Sequence, residues 1–231
     1  MSTVSKRRRP DEGKVDKDRT YGLEEGLDLL KSSAKVRFDE AIDVAVNLGI
    51  DPKKSDQGVR GAVSLPNGTG RSRSVIAFVK DPAKQEAARE AGAAEVGDDE
   101  LVAKVAAGWT GFDVAIAAPD MMGQVGKLGK VLGPQGKMPT PKSGTVTPNV
   151  AEAVKAFAAG KVEFRADAGG TVHAAVGKRS FDTEKLAENV RAFITALNAL
   201  KPATSKGTYL KKVVVSSTMG PGVMVDTSAP A

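Results

Sequence analysis

The sequence predicts an α/β protein: an α+β terminal domain built from both ends of the chain, interrupted by a three-layer α/β domain. Three observations predict it. The 231 residues exceed the roughly 100–150 of an ordinary single domain. Strands with apolar residues at every second position occur towards both ends, whereas strands apolar on both faces lie between them. The middle also alternates strand, helix, strand, helix, strand, the order of a parallel, doubly wound sheet. The expected division is 1–68 and 161–231 for the terminal domain and 69–160 for the insertion.

Residues 1–20 are polar, and the cluster Lys6-Arg7-Arg8-Arg9 reads as a solvated tail or a phosphate contact. Leu23, Leu27, Leu30 and Ala34 recur at helical spacing and predict a first helix. In FDEAIDVAVNL, residues Phe38, Ile42, Val44, Val46 and Leu48 share one parity, and Asp39, Asp43 and Asn47 the other. That pattern predicts a half-buried strand. Asp51-Pro52 turns the chain, and Val59, Gly61, Val63 and Leu65 alternate as a second strand expected in the same sheet.

After the turn residues Pro66-Asn67-Gly68-Thr69-Gly70 the texture changes. Residues 74–79 (SVIAFV) form a strand apolar on both faces. Asp81-Pro82 reads as an N-cap with proline in the first turn, and Gly92 suits the helix end. A short strand at 94–96, a helix from Asp98-Asp99 to Gly108 and a strand at 113–117 follow. Past a glycine-rich stretch, Asn149 and Glu152 read as a capping box for a helix striped by Val150, Val154 and Phe157. Alternation then returns at Val162, Phe164, Val172, Ala174 and Val176. Asp182 is expected to cap a long helix carrying Leu186, Val190, Phe193 and Leu197, and Lys201-Pro202 to stop it. Residues 207–217 read as a final strand ended by TMGPG.

Composition excludes several classes. There are no cysteines, so disulfides, thiolate catalysis and cysteine-bound metals are out. His173 is the single histidine, which excludes metal sites needing two. No apolar run approaches about 18 residues and no signal-like segment is present, so a cytoplasmic protein without membrane partner is expected. The net charge is +6, and it is unevenly placed. Residues 69–160 hold 11 basic and 10 acidic residues, the remainder 23 and 18. The positive excess therefore falls on the terminal domain, and an anionic partner such as nucleic acid fits it.

Nucleotide and catalytic motifs fail. Gly68-x-Gly70 precedes its strand instead of following it, and Arg73 stands in the third glycine's place. Around Gly136-Lys137 a phosphate loop would need glycine at Val131 and a hydroxyl at Met138. The stretch 123–147 reads instead as a structural loop closing the insertion. Its Lys127, Lys130, Lys137 and Lys142 meet no acid nearby in sequence and are candidates for a secondary nucleic-acid contact. His173, Ser180 and Asp167 are triad types without a nucleophile elbow. Asp39 and Glu40 point to opposite faces of a strand and make no acid–base pair. An enzyme, and any cofactor, is not expected.

An RNA reading does better. The C-terminal strand offers Lys211, Lys212, Ser216, Ser217 and Thr218, then Met219-Gly220-Pro221-Gly222. Lysines and hydroxyls suit phosphates and 2′-hydroxyls, glycine permits close approach, and methionine lies readily against a ribose or base.

With those residues on the page, the chain resembles the bacterial large-subunit ribosomal protein L-one family, the mobile stalk protein beside the tRNA exit site. The resemblance runs through FDEAIDVAVNLGIDPKKSDQGVRGAVSLPNGTG (38–70), LGPQGKMPTPKSGTVT (132–147), VHAAVGKRSF (172–181) and KGTYLKKVVVSSTMGPG (206–222). It implies a Rossmann-like insertion in an RNA-binding terminal domain. It implies binding to 23S rRNA within the large ribosomal subunit, contact with exit-site tRNA, and repression of its own operon mRNA, without homo-oligomers. The RNA-binding residues it implies are Phe38, Thr218, Met219 and Gly220, with Arg37, Glu40, Arg165, Asp167, His173, Ser180 and Ser216 beside them. The chain departs from the family pattern at Ala168, Gln135, Lys137 and Thr140. The competing classes are a nucleotide-dependent Rossmann-type enzyme and a regulator of duplex DNA.

Overall fold

The computed structural model describes residues 13–16, 19–33, 36–52, 54 and 56–226. The Lys6–Arg9 cluster and Ala34 lie outside the described residues. Backbone contacts divide the chain into two units, one of Met1–Gly70 with Glu163–Ala231, the other of Arg71–Val162.

In the first unit, helix α1 (Leu23–Ser32) buries Leu27 and Leu30. Strand β1 (Ala41–Leu48) buries Ile42, Val44, Val46 and Leu48, as their shared parity predicts. Phe38, of the same parity, stands before the strand and is 55% exposed. Strand β2 (Arg60–Ser64) does not join β1's sheet, contrary to expectation. It pairs with β6 (Lys161–Arg165) in a two-stranded sheet. The main sheet contains β7 (Thr171–Lys178), β8 (Leu210–Ser217) and β9 (Gly222–Val225) in the order β7-β1-β8-β9. Strand β9 is absent from the sequence reading. The TMGPG segment does not end the sheet but turns it, and β9 pairs antiparallel with β8.

Helix α7 (Thr183–Ala199) places Leu186, Val190, Phe193 and Leu197 in the core. Asp182 precedes it, but its side chain makes no cap and pairs with Lys185 instead. Helices α1 and α7 pack on each other, α7 against β7 and α1 against β8 and β9. The other face of the sheet carries Asp43, Ala45 and Asn47 of β1, His173 and Ala175 of β7, and Lys212, Val214 and Ser216 of β8. All of these are exposed or half-buried.

In the second unit, β3 (Val75–Phe78) and β5 (Val114–Ala117) are buried at every residue. With β4 (Glu95–Gly97) they form a parallel sheet in the order β4-β3-β5. Helix α2 (Pro82–Glu90) is capped by Asp81, whose Oδ1 accepts from the Ala83 N–H at 3.1 Å. Helix α3 (Asp99–Ala106) packs Leu101 and Val105 against Ile76 and Phe78. Residues 119–132 are not an irregular loop. They wind through short helical turns, including α4 (Met122–Val125) and α5 (Gly129–Leu132), which bury Met121, Val125, Leu128 and Leu132 in the same core. Helix α6 (Val150–Ala158) lies against β3, β5 and α2 and ends at Gly160, whose φ of 114° favours glycine. Asn149 makes no side-chain cap to the α6 backbone. Its amide reaches Glu152 at 3.4 Å.

Candidate nucleic-acid interface

Three strand ends meet at one edge of the four-stranded sheet. Antiparallel register sets Ala41 opposite Lys178 of β7 and Ile42 opposite Ser217 of β8. The segments 38–41, 178–180 and 217–220 are thereby brought together from three distant parts of the chain.

Thr218 continues the β1–β8 ladder past its last pair. Its N–H donates to Ala41 O at 3.1 Å, and its Oγ1 accepts from the Ala41 N–H at 3.0 Å. The threonine side chain thus stands in for a backbone carbonyl. Asp39 accepts from the Ser180 N–H at 3.2 Å and from Ser180 Oγ at 2.8 Å. The hydroxyl of Ser180 is therefore already engaged by protein.

Beneath this edge lies a buried polar network centred on Glu40, whose exposure is 1%. Its Oε2 accepts from Arg179 Nη1 at 2.5 Å. Its Oε1 accepts from the Met219 N–H at 3.0 Å and from Ser217 Oγ at 3.3 Å. Arg179 Nη2 donates to Lys31 O and Ser33 O, both at 2.7 Å. These carbonyls lie at the end of α1, where helical partners run out and a cation is favoured. Buried charges need such pairing and hydrogen bonding.

Above the network, Phe38 is 55% and Met219 46% exposed. Both belong to the large apolar side chains left most open to solvent. A cavity of about 340 Å³ beside Phe38 is lined by Lys31, Val36, Phe38, Arg179 and Ser180. Arg37 and Thr218 are exposed, and Gly220 is half-buried. A Cβ on Gly220 would lie 2.3 Å from Ser217 Oγ, so the turn needs glycine for space.

The remaining candidates fall elsewhere. Ser216 is half-buried on the open sheet face opposite Asp43. Partial burial raises the Asp43 carboxyl above its usual range, and His173 and Lys178 oppose that rise. Arg165, Asp167 and His173 gather towards the far end of β1 and β7, since His173 pairs with Ala45 and Lys178 with Ala41. Asp167 Oδ1 accepts from the Gly169 and Thr171 N–H groups, each at 2.8 Å. The bond from Thr171 is the main cause holding this carboxyl below its usual range. His173 Nε2 stands 3.6 Å from Asp167 Oδ2.

Two expectations need correction. Lys137 is not an open lysine of the second unit. Its Nζ donates to Thr110 O at 3.0 Å and Phe112 O at 2.5 Å and lies over the Phe112 ring. Lys127, Lys130 and Lys142 are exposed. Ser217 is no surface hydroxyl: it is buried against Glu40. The sequence reading also missed Arg179, although it lies in the block VHAAVGKRSF. One signal was present. Glu40 shares the parity of Ile42 and Val44, so an acid on the apolar side of β1 calls for a buried cation. Among the described residues no cluster of three or more acids and histidines is placed to hold a metal, and no helix is long and apolar enough to cross a membrane.

The family model described as "Ribosomal protein L1p/L10e family" matches residues 30–221. "Large ribosomal subunit protein uL1" of Paracidovorax citrulli is 56% identical over 229 residues, covering 99% of both chains. The protein of that name from Polaromonas sp. (strain JS666) is 56% identical over 231 residues, covering 100% of both.

Proposed function

The chain belongs to the ribosomal protein L1p/L10e family, and on that premise we propose that it is a constituent of the bacterial large ribosomal subunit that binds 23S rRNA through the first unit. The interface is the sheet edge formed by Phe38, Thr218, Met219 and Gly220, with Arg37 beside it. One observation carries this reading: Phe38 and Met219 stand exposed over a buried, hydrogen-bonded polar layer. Exposed apolar groups on a rigid frame suit riboses and bases, which are recognised by shape and close contact. The open sheet face extends the surface with Ser216, Lys212 and His173, and Arg165 and Asp167 mark its far end. The mobile stalk is the rRNA element in question, and the same surface takes the chain's own operon mRNA. Lys127, Lys130 and Lys142 make a secondary contact, to exit-site tRNA.

A stalk rRNA fragment titrated against the full chain in a filter or calorimetric assay tests the reading. Met219→Ala and Thr218→Ala should weaken binding at least about tenfold. Wild-type affinity in both would remove the edge from the interface. An operon-leader transcript should compete with the stalk fragment, and an unrelated duplex DNA should not.

A further inference from the structure

We propose that Arg179 and Glu40 are positioning residues of the RNA interface, acting on RNA only through the segments they hold. The inference rests on the reading of the sheet edge as that interface. An arginine flanked by Lys178 and Ser180 in a basic RNA-binding chain invites assignment to a phosphate. The geometry points the other way. Arg179's Nη1 is committed to Glu40 and its Nη2 to two carbonyls, and only 12% of its side chain is exposed. A phosphate would meet a largely buried side chain whose two Nη groups are already engaged by protein oxygens.

What the pair holds is specific. Through Nη2 it fixes the end of α1 at Lys31 and Ser33, just before the chain reaches Phe38. Through Glu40 Oε1 it fixes the Met219 amide and, by Ser217 Oγ, the last residue of β8. Backbone bonding repeats the link, since the Arg179 N–H donates to Glu40 O at 2.8 Å. The ion pair thus holds the Met219 backbone directly and stands beside Phe38, with which Arg179 lines one cavity. Rigid presentation lowers the ordering that binding would otherwise require.

The test uses the full chain, a stalk rRNA fragment and a series of KCl concentrations, with folding checked by circular dichroism. The variants are Arg179→Met, Ser217→Ala and Met219→Ala. Arg179→Met should lower affinity about tenfold or more, with the slope of log K against log salt unchanged, because no phosphate contact is lost. Ser217→Ala keeps the ion pair and removes one bond to Glu40. It should lower affinity about threefold, which decides the matter should Arg179→Met fail to fold. A slope reduced by about one unit would make Arg179 a direct phosphate contact and overturn the proposal. So would wild-type affinity in folded Arg179→Met, or in Ser217→Ala, while Met219→Ala binds weakly. Wild-type affinity in Met219→Ala would instead remove the interface reading beneath it.

Discussion

Glu40 and Arg179 meet at 2.5 Å with 1% and 12% of their side chains exposed, across 139 residues of sequence. Removing one partner strands the other charge in the core. Glu40→Ala and Arg179→Ala should each lower unfolding free energy by about 3–5 kcal/mol, read from urea denaturation. A change under about 1 kcal/mol would mean that water reaches the pair.

Gly220→Ala sets a Cβ 2.3 Å from Ser217 Oγ, itself held by Glu40. The expected destabilisation is about 1–3 kcal/mol, with weakened binding of the stalk fragment. Adding Ser217→Ala removes the clashing oxygen. The double variant should therefore be less destabilised than the sum of the two single changes, a coupling that a double-mutant cycle measures directly.

Lys137 differs from the other lysines of its stretch. Lys137→Met leaves the Thr110 and Phe112 carbonyls without their donor and should lower the unfolding free energy by about 1–3 kcal/mol. Lys127→Gln, Lys130→Gln and Lys142→Gln together should leave thermal stability within a degree or two and stalk-fragment affinity nearly intact. Strong loss of rRNA affinity in this triple variant would place the main RNA surface on the second unit.

Acid titration should separate Asp43 from Asp167, because their shifts have opposite sign. Asp43 is raised by burial, so the folded chain holds its proton more tightly than the unfolded chain. Its ionisation lowers stability as pH rises from about 4 through the raised value. Asp43→Asn should therefore be more stable than the parent at pH 7, with the advantage fading below about pH 4. Asp167 is lowered, chiefly by the Thr171 N–H bond, so its stabilisation is present above about pH 4 and is lost as pH falls through the lowered value. Asp167→Ala should be less stable at neutral pH and converge with the parent in acid. Melting temperatures between pH 2 and pH 7 check both signs.

Much of the secondary structure was legible because it depends on local period. The parity of Ile42 to Leu48, the helical spacing of Leu186 to Leu197 and the two-faced burial of β3 and β5 all follow from neighbours within one element. Pairing partners did not follow. Nothing local tells β2 to leave the sheet of β1 for β6, or the segment after Gly220 to return as β9. Nor does glycine-rich composition reveal helical turns at 119–132, since their stability comes from burying Met121, Val125, Leu128 and Leu132 rather than from propensity.

By itself the sequence determined the α/β class, the helices and strands of strong period, the basic excess of the terminal segments and the family. It also singled out Thr218 and Met219 as residue types suited to RNA, while Phe38 entered only through the family resemblance. Only the tertiary structure decided which polar groups face solvent and which hold the frame. Glu40 reaches Arg179 across 139 residues and Ser217 across 177, and Met219 reaches back to Glu40 across 179. Antiparallel register sets those distances, and register is a property of strand pairs that no single strand's sequence contains.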